Sequence, residues 1–173
     1  MIQIRPVTLQ DTQEILDIYT PYVENTPITF ELQVPSLEEF TLRIKGIIKD
    51  YPYFVAVDST SQKIVGYAYA GKLRKQEAFS HCCEPSIYLK PNEKHKRIGS
   101  LLYATLEEAL LKQQIISLYA CITSPNDESI HFHEKHGYTI VGKFTNCGYK
   151  LNAWHDVVWM EKFIAPLPSC PQT

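Results

Sequence analysis

One segment limits the possible folds more than any other. Residues 86–90, SIYLK, have the β-branched and aromatic character of a strand, and LYACIT at 118–123 reads as another. Between them Leu102, Leu106, Ala109 and Leu110 fall on one helical face. Only a short polar turn, ending in KHKRIG, joins the first strand to that helix. A strand, a helix and a strand in direct succession call for an α/β sheet.

The flanking sequence extends that frame. Ile2 and Ile4 alternate with Gln3 and Arg5 as a short strand. Asp11 is placed to cap a helix carrying Ile15, Leu16, Ile18, Tyr19 and Tyr22. Ser36 and Glu39 form a capping-box pair ahead of Phe40, Ile44, Ile47 and Ile48, and Pro52 ends that helix. YFVAVD (53–58) and IVGYAYAG (64–71) predict a hairpin around STSQK, with KLRKQEAFSHCC as irregular chain after it. Ser124 as cap, Pro125 in the first helical position and Asp127 two residues on predict another helix, which Gly137 stops. TIVGKF and HDVVWMEKF predict a closing antiparallel pair. The expected fold is a mixed, largely antiparallel sheet with helices on both faces, in one domain over 1–164. The tail 165–173, rich in proline, is expected to be loose.

Composition removes several classes of function. The chain has 173 residues, 45% hydrophobic and 21% charged, with a net charge of -2. That is ordinary for one globular domain and gives no general nucleic-acid-binding surface. Five cysteines, with Cys82 beside Cys83 and no C-x-x-C, argue against a disulfide framework or a cysteine zinc site and fit a reducing cytosol. The N-terminus MIQIRPVT lacks the apolar core of a signal peptide. No run approaches the ~20 apolar residues of a membrane-spanning helix. A cytoplasmic protein is expected.

The turn before the third helix carries the first chemical signal. A helix N-terminus presents backbone N–H groups and a partial positive charge, so it attracts anions. Lys94, His95, Lys96 and Arg97 line this turn, and Gly99 lets backbone approach a ligand closely. Arg97 is expected in αR or β geometry, with its guanidinium toward a phosphate. Gly99 is expected to be the glycine the turn requires.

This turn resembles the acetyl-CoA pyrophosphate loop of the GNAT superfamily of N-acetyltransferases, patterned Gln/Arg-x-x-Gly-x-Gly/Ala. Lys94 stands at the Gln/Arg position, Arg97 at the first Gly and Gly99 at the last. Asn126, Ser129 and the run Phe132–Tyr138 resemble a second family string, with His133 where Tyr is usual. His at that place resembles one branch, the phosphinothricin and methionine sulfoximine acetyltransferases. TPITFE (26–31), GYAYAG (66–71), Glu84-x-Ser86-x-Tyr88, GSLLY (99–103) and NCGYKLNAWHDVVW (146–159) resemble the same branch, in order, over residues 2–164.

The resemblance implies an enzyme that moves an acetyl group from acetyl-CoA to the primary amine of a small amino acid or analogue. Such a reaction needs the amine deprotonated, the thioester carbonyl polarised and the leaving thiolate helped by a proton donor. It implies Glu84 as general base. His133 is implied as a second catalytic residue, on either the acid or the base side. Backbone of Ile87, Tyr88 and Leu89, the turn Lys94–Ser100 (including Ile98 and Ser100), Asn126, Ser129 and Lys135 are implied to hold acetyl-CoA. Phe30, Glu31, Arg74, Lys150 and Trp154 are implied around the acceptor. The branch's carboxylate-binding Arg is replaced by Gln76, in the run Gln76-Glu77-Ala78-Phe79, so Arg74 is the remaining guanidinium nearby. A homodimer is implied as well. The alternatives are acetylation of another amine or a peptide N-terminus, or a non-catalytic CoA-binding sensor. Keeping both Glu84 and His133 disfavours the sensor.

The other histidines and the cysteines point elsewhere. His131 and His133 are two apart and cannot share a metal on a helix, and His133-Glu134-Lys135-His136 is one residue short of H-E-x-x-H. No metal is expected. His155 and Asp156 face opposite sides of a strand, with His155 in a structural hydrogen bond. Cys82, Cys83, Cys121 and Cys147 are expected to pack in the core.

Overall fold

The computed structural model describes residues 1–93 and 97–169. Lys94, His95 and Lys96, and the last residues of the tail, lie outside the described residues.

Among the described residues the strands are β1 (Ile2–Pro6), β2 (Tyr53–Asp58), β3 (Lys63–Lys72), β4 (Cys82–Leu89), β5 (Ser117–Ser124), β6 (Thr139–Lys150) and β7 (Ala153–Phe163). The helices are α1 (Thr12–Asn25), α2 (Leu37–Ile47), α3 (Ile98–Lys112) and α4 (Asp127–Lys135). The seven strands are hydrogen-bonded in the order β1-β2-β3-β4-β5-β7-β6. The β1–β2, β2–β3, β5–β7 and β6–β7 pairs are antiparallel and β4–β5 is parallel, which is the expected mixed, largely antiparallel sheet.

The residues cluster into two compact units. The first comprises Met1–Thr20, Pro35–Gly71 and Pro85–Gln113. Its core gathers Ile15 and Ile18 of α1, Ile44 of α2, Val55, Tyr67, and Leu102, Leu106 and Leu110 of α3, all essentially buried. Each such side chain contributes about 1.5–3 kcal/mol by leaving water. Tyr53, Tyr67 and Tyr69 stack on the β2–β3 hairpin, and Tyr88 of β4 stacks on Tyr67 while Tyr19 meets it edge-on. Gly66 makes this closeness possible, because a Cβ there would run into Leu89 and the Tyr88 carbonyl.

The second unit comprises Pro21–Val34, Lys72–Glu84 and Gln114 onward. Leu118 of β5 and Met160 of β7 are fully buried in it. The β6–β7 hairpin turns at Leu151 and Asn152, both with positive φ of 52° and 60°. Two register shifts, after Ile140 and after Phe144, bend β6. α4 closes with a pair of bonds, Gly137 N to the Glu134 carbonyl and Tyr138 N to the His133 carbonyl. Gly137 has φ +85°, the left-handed geometry that glycine adopts without penalty.

Several local expectations change. Asp11 does not cap α1 directly. It ends a short 3-10 turn, accepts from the Thr8 backbone and hydroxyl (2.7 and 3.0 Å), and takes two bonds from Arg5, both 2.7 Å. α4 begins at Asp127 rather than Pro125, because Ser124-Pro125 is a cis peptide and Asn126 is the cap, its Oδ1 accepting from Ser129 N at 3.3 Å. The Ser36–Glu39 capping box forms as read. Pro21 sits inside α1, past which the apolar pattern had continued.

Arg97 is the clearest correction. It was expected at negative φ; it has φ 60° and ψ 11°, left-handed, as the residue that admits the chain into α3. The glycine of the family pattern at this place is therefore explained by φ. An L-residue there crowds its Cβ against the following carbonyl, at about 1–2 kcal/mol. Gly99 is buried inside the first turn of α3 and does not supply that conformation.

Arg97→Gly should raise unfolding stability by about 1 kcal/mol, a few degrees in Tm, in a denaturant or thermal melt; a loss of stability would show that the left-handed turn is not strained. Burial alone would raise the Asp11 carboxyl, but Arg5 and Thr8 outweigh it and hold it below its ordinary value. Its stabilising contribution is thus complete above the ordinary carboxylate range and is lost as pH falls through the depressed value. Melts of wild type and Asp11→Asn should therefore converge in strong acid and separate above it.

Candidate active site

Glu84 lies inside β4 rather than ahead of it. The strand begins at Cys82, where parallel pairing sets Cys82 against Ser117 and Cys83 against Leu118. The His81 carbonyl accepts from Ile116 N (2.7 Å) and Ser117 N (3.3 Å), which starts that pairing. Polar residues up to His81 disguised the strand's beginning. Glu84 is the next residue after the paired two, and it is partly buried. Burial raises its carboxyl above the ordinary value, and the Arg74 guanidinium partly opposes this. A carboxylate taken out of water holds a proton more tightly, which suits a general base.

Arg74 is exposed on bent chain between β3 and the 3-10 turn Glu77–Phe79, with Nη1 donating to the Leu73 carbonyl at 2.9 Å. Its charge is felt by both Glu84 and Cys82. Gln76, in the place of the branch's Arg, is exposed at the start of that turn.

His133 is 3% exposed in the last turn of α4. Its Nδ1 lies 2.7 Å from the Ser129 carbonyl. A carbonyl only accepts, so Nδ1 carries the proton and the neutral ring has its lone pair on Nε2. Burial lowers the His133 pKa below its ordinary value, with the Ser129 bond partly opposing. The ring packs edge-on against Tyr138 and Phe132, at 5.0 and 5.4 Å between centroids. His136 instead bonds the Phe132 carbonyl through Nδ1 at 2.7 Å, and His131 is exposed.

The residues expected to hold acetyl-CoA divide as follows. Ile87, Tyr88 and Leu89 are consecutive, half-buried residues of β4. Leu101 N donates to the Arg97 carbonyl, so the N–H groups of Ile98, Gly99 and Ser100 precede the α3 ladder. The Ile98 side chain is fully buried, which leaves only its backbone for a ligand. Arg97 is exposed. A helix N-terminus, a side-chain-free second residue and a cation are groups that attract an anion. Asn126 and Ser129 are bonded to each other at the start of α4, and Lys135 is exposed at its end. Lys94, His95 and Lys96 lie outside the described residues.

Of the acceptor candidates, Lys150 departs most from a surface role. It is 4% exposed and donates to the Thr29 carbonyl at 2.7 Å. Phe30 is 36% exposed and lies on Gly148, where a Cβ would run into its ring. Glu31 is half-buried, and Trp154 is 63% exposed beside Tyr149. His155 donates through Nε2 to the Lys150 carbonyl at 2.9 Å, the structural bond expected of it. Asp156 pairs with Lys143 at 2.7 Å. Thr123, whose hydroxyl donates to the Pro27 carbonyl at 2.8 Å, was not singled out from sequence. Threonine near a strand end is too common to signal such a bond.

Cys82 and Cys83 are buried as expected, but Cys121 and Cys147 are exposed, which corrects the expectation that they pack in the core; Cys147 lies on the edge strand β6, most of whose residues are exposed too. Although the residue is exposed, partial desolvation raises the Cys121 thiol, and Glu84 and Cys147 act in the same direction. Among the described residues no group of three or more His, Cys, Asp or Glu could hold a metal ion, and no helix is long and apolar enough to cross a membrane.

Known proteins place the chain in a family. Residues 4–159 match the family model described as an acetyltransferase (GNAT) domain. The chain is 36% identical over 163 residues to a phosphinothricin N-acetyltransferase of Streptomyces coelicolor, covering 93% of this chain and 95% of that one. It is 30% identical over 172 residues to an L-methionine sulfoximine/L-methionine sulfone acetyltransferase of Pseudomonas paraeruginosa, covering 97% and 98%. The crystal structure of a GNAT superfamily phosphinothricin acetyltransferase from Sinorhizobium meliloti in complex with AcCoA superposes with a TM-score of 0.94 at 30% identity, over 99% of this chain and 93% of that one. The chain belongs to the GNAT acetyltransferase family, in its phosphinothricin and methionine sulfoximine acetyltransferase-like branch, and is an acetyl-CoA-dependent N-acetyltransferase.

Proposed function

We propose that the acceptor is the primary amine of a small amino acid or analogue of the phosphinothricin or methionine sulfoximine kind, and that it attacks directly with Glu84 as general base. The observation that carries this is the partly buried Glu84 carboxyl, raised by desolvation and moderated by Arg74. The two similar enzymes named above support the acceptor class, since phosphinothricin and methionine sulfoximine are both amino-acid analogues.

Acetyl-CoA, when bound, supplies the acyl group already activated as a thioester. The chain's residues then bind, orient and move protons. The N–H groups of Ile98, Gly99 and Ser100 and the Arg97 guanidinium suit the pyrophosphate, with Lys94, His95 and Lys96 in the same turn. Backbone of Ile87, Tyr88 and Leu89, with Asn126 and Ser129, suits the pantetheine arm, and Lys135 suits a nucleotide phosphate. Glu84 takes the amine proton. His133, neutral with a lone pair on Nε2, is suited to accept a hydrogen bond or proton rather than to donate one to sulfur at neutral pH. Arg74 is the guanidinium for the acceptor's carboxylate, with Phe30, Glu31 and Trp154 beside the acceptor side chain. The exposed apolar residues Ile140, Val141, Phe144 and Tyr149 on the edge strand β6 suit a homodimer contact. A cytoplasmic location fits the thiol content.

Free-thiol release from acetyl-CoA with phosphinothricin, methionine sulfone, a polyamine and a short peptide tests the acceptor reading. Turnover is expected with the first two. Turnover only with the peptide or polyamine would move the assignment to those amines, and CoA binding without any turnover would favour a sensor. The pH profile tests Glu84. A base works deprotonated, so a raised pKa places the acid limb of kcat/KM above the ordinary glutamate value. Glu84→Gln should abolish that limb and lower kcat by about 100-fold or more. Arg74→Ala should move the limb upward, because Arg74 lowers the Glu84 pKa. A Glu84→Gln enzyme with an unaltered profile would remove Glu84 from the mechanism.

A further inference from the structure

Residues 26–34 have no regular secondary structure, so their carbonyls have no ladder partner. Two of them are met by side chains from the second unit's strands. The Pro27 carbonyl accepts from Thr123 Oγ1 at 2.8 Å, and the Thr29 carbonyl accepts from Lys150 Nζ at 2.7 Å. Lys150 Nζ also lies 3.5 Å from the Tyr22 carbonyl at the end of α1. A lysine that is 4% exposed is rarely tolerated without such partners. Burial lowers its pKa, and the Glu31 carboxylate opposes that shift.

The Lys150 backbone is itself fixed. Its carbonyl accepts from His155 Nε2 at 2.9 Å across the Leu151–Asn152 turn. Two residues earlier Gly148 leaves room for the Phe30 ring, which occupies the space a Cβ would take. Phe30 also faces the His155 ring, 6.4 Å between centroids. The loop is thereby held at Pro27, Thr29 and Phe30.

We propose that Lys150 is a positioning residue, whose bond to the Thr29 carbonyl fixes the Pro27–Glu31 loop and so decides which acceptor side chain the enzyme admits. This rests on the reading that Phe30 and Glu31 lie beside the acceptor. Lys150 itself need not touch the acceptor, because its ammonium is turned into the loop backbone. Methionine, of similar length, should not substitute for it. It could fill the space but would leave the Thr29 carbonyl without this donor.

The test compares wild type with Lys150→Met, Lys150→Arg and Gly148→Ala. It uses phosphinothricin and methionine sulfone as acceptors, with CoA affinity by calorimetry and amide hydrogen exchange of residues 26–33. Lys150→Met should raise the acceptor KM by about tenfold and change the acetyl-CoA KM and CoA affinity by less than about twofold. Loop exchange should quicken, and Lys150→Arg, which keeps a donor, should recover part of the loss. Gly148→Ala should displace Phe30 and change the ratio of kcat/KM between the two acceptors. It keeps the test open should Lys150→Met fail to fold.

An unchanged acceptor KM in folded Lys150→Met would overturn the proposal. So would a parallel loss of acceptor and CoA binding, or a Gly148→Ala enzyme with unchanged acceptor preference. If wild type acetylates neither amino acid, the acceptor reading fails separately. The loop's anchoring is then judged by hydrogen exchange alone, where equal rates in wild type and Lys150→Met would refute it.

Discussion

The short parallel contact between β4 and β5 is the constraint on which the site depends. It joins Cys82 to Ser117 and Cys83 to Leu118, and the His81 carbonyl begins it by accepting from two successive N–H groups of the incoming strand. Cys83 is fully buried and Cys82 nearly so. Small, apolar thiols let the strands meet there, and the acid that follows them is drawn into a partly desolvated place. A carboxylate in the position of either cysteine would carry a far larger penalty. One residue further on, burial is partial and Arg74 offers compensation. The chemistry of Glu84 thus follows from where the parallel pairing stops.

The two titratable groups with implied catalytic roles are perturbed in opposite directions by the same cause. Desolvation disfavours charge, so it raises the carboxyl of Glu84 and lowers the imidazolium of His133. At neutral pH the histidine is then a neutral ring whose tautomer is set by the Ser129 carbonyl. That bond exists because residues four apart in α4 lie one turn from each other, and Asn126 holds the start of the helix by accepting from Ser129 N. Ser129 thus connects the cap of the helix to the protonation of its histidine.

Much of the fold was legible because it is written in periodicity. The Ser36–Glu39 box, the β2–β3 hairpin, the α3 face and the Gly137 stop all depend on neighbours a few residues away. The misreadings share a different cause. Asp11 and Ser124 carry capping chemistry, but Arg5 claims the first and a cis bond at Pro125 displaces the second. Cys82 and Cys83 looked irregular because strand character there comes from a partner thirty-odd residues away in sequence. The φ of Arg97 could not be inferred from its side chain, only from the glycine that the family pattern keeps in that place. Glu84 and His133 were singled out through resemblance alone. The loop anchoring by Thr123 and Lys150 required coordinates, since each bond spans more than ninety residues.

The central claim is that the fold prepares Glu84 as a base by removing its carboxyl partly from water. A carbon-detected NMR titration of the glutamate side chains, assigned with Glu84→Gln, measures this without any acceptor. The account predicts that the Glu84 resonance titrates above the ordinary glutamate value of 4.5, and moves further upward in Arg74→Ala. A Glu84 midpoint at or below that value would contradict it.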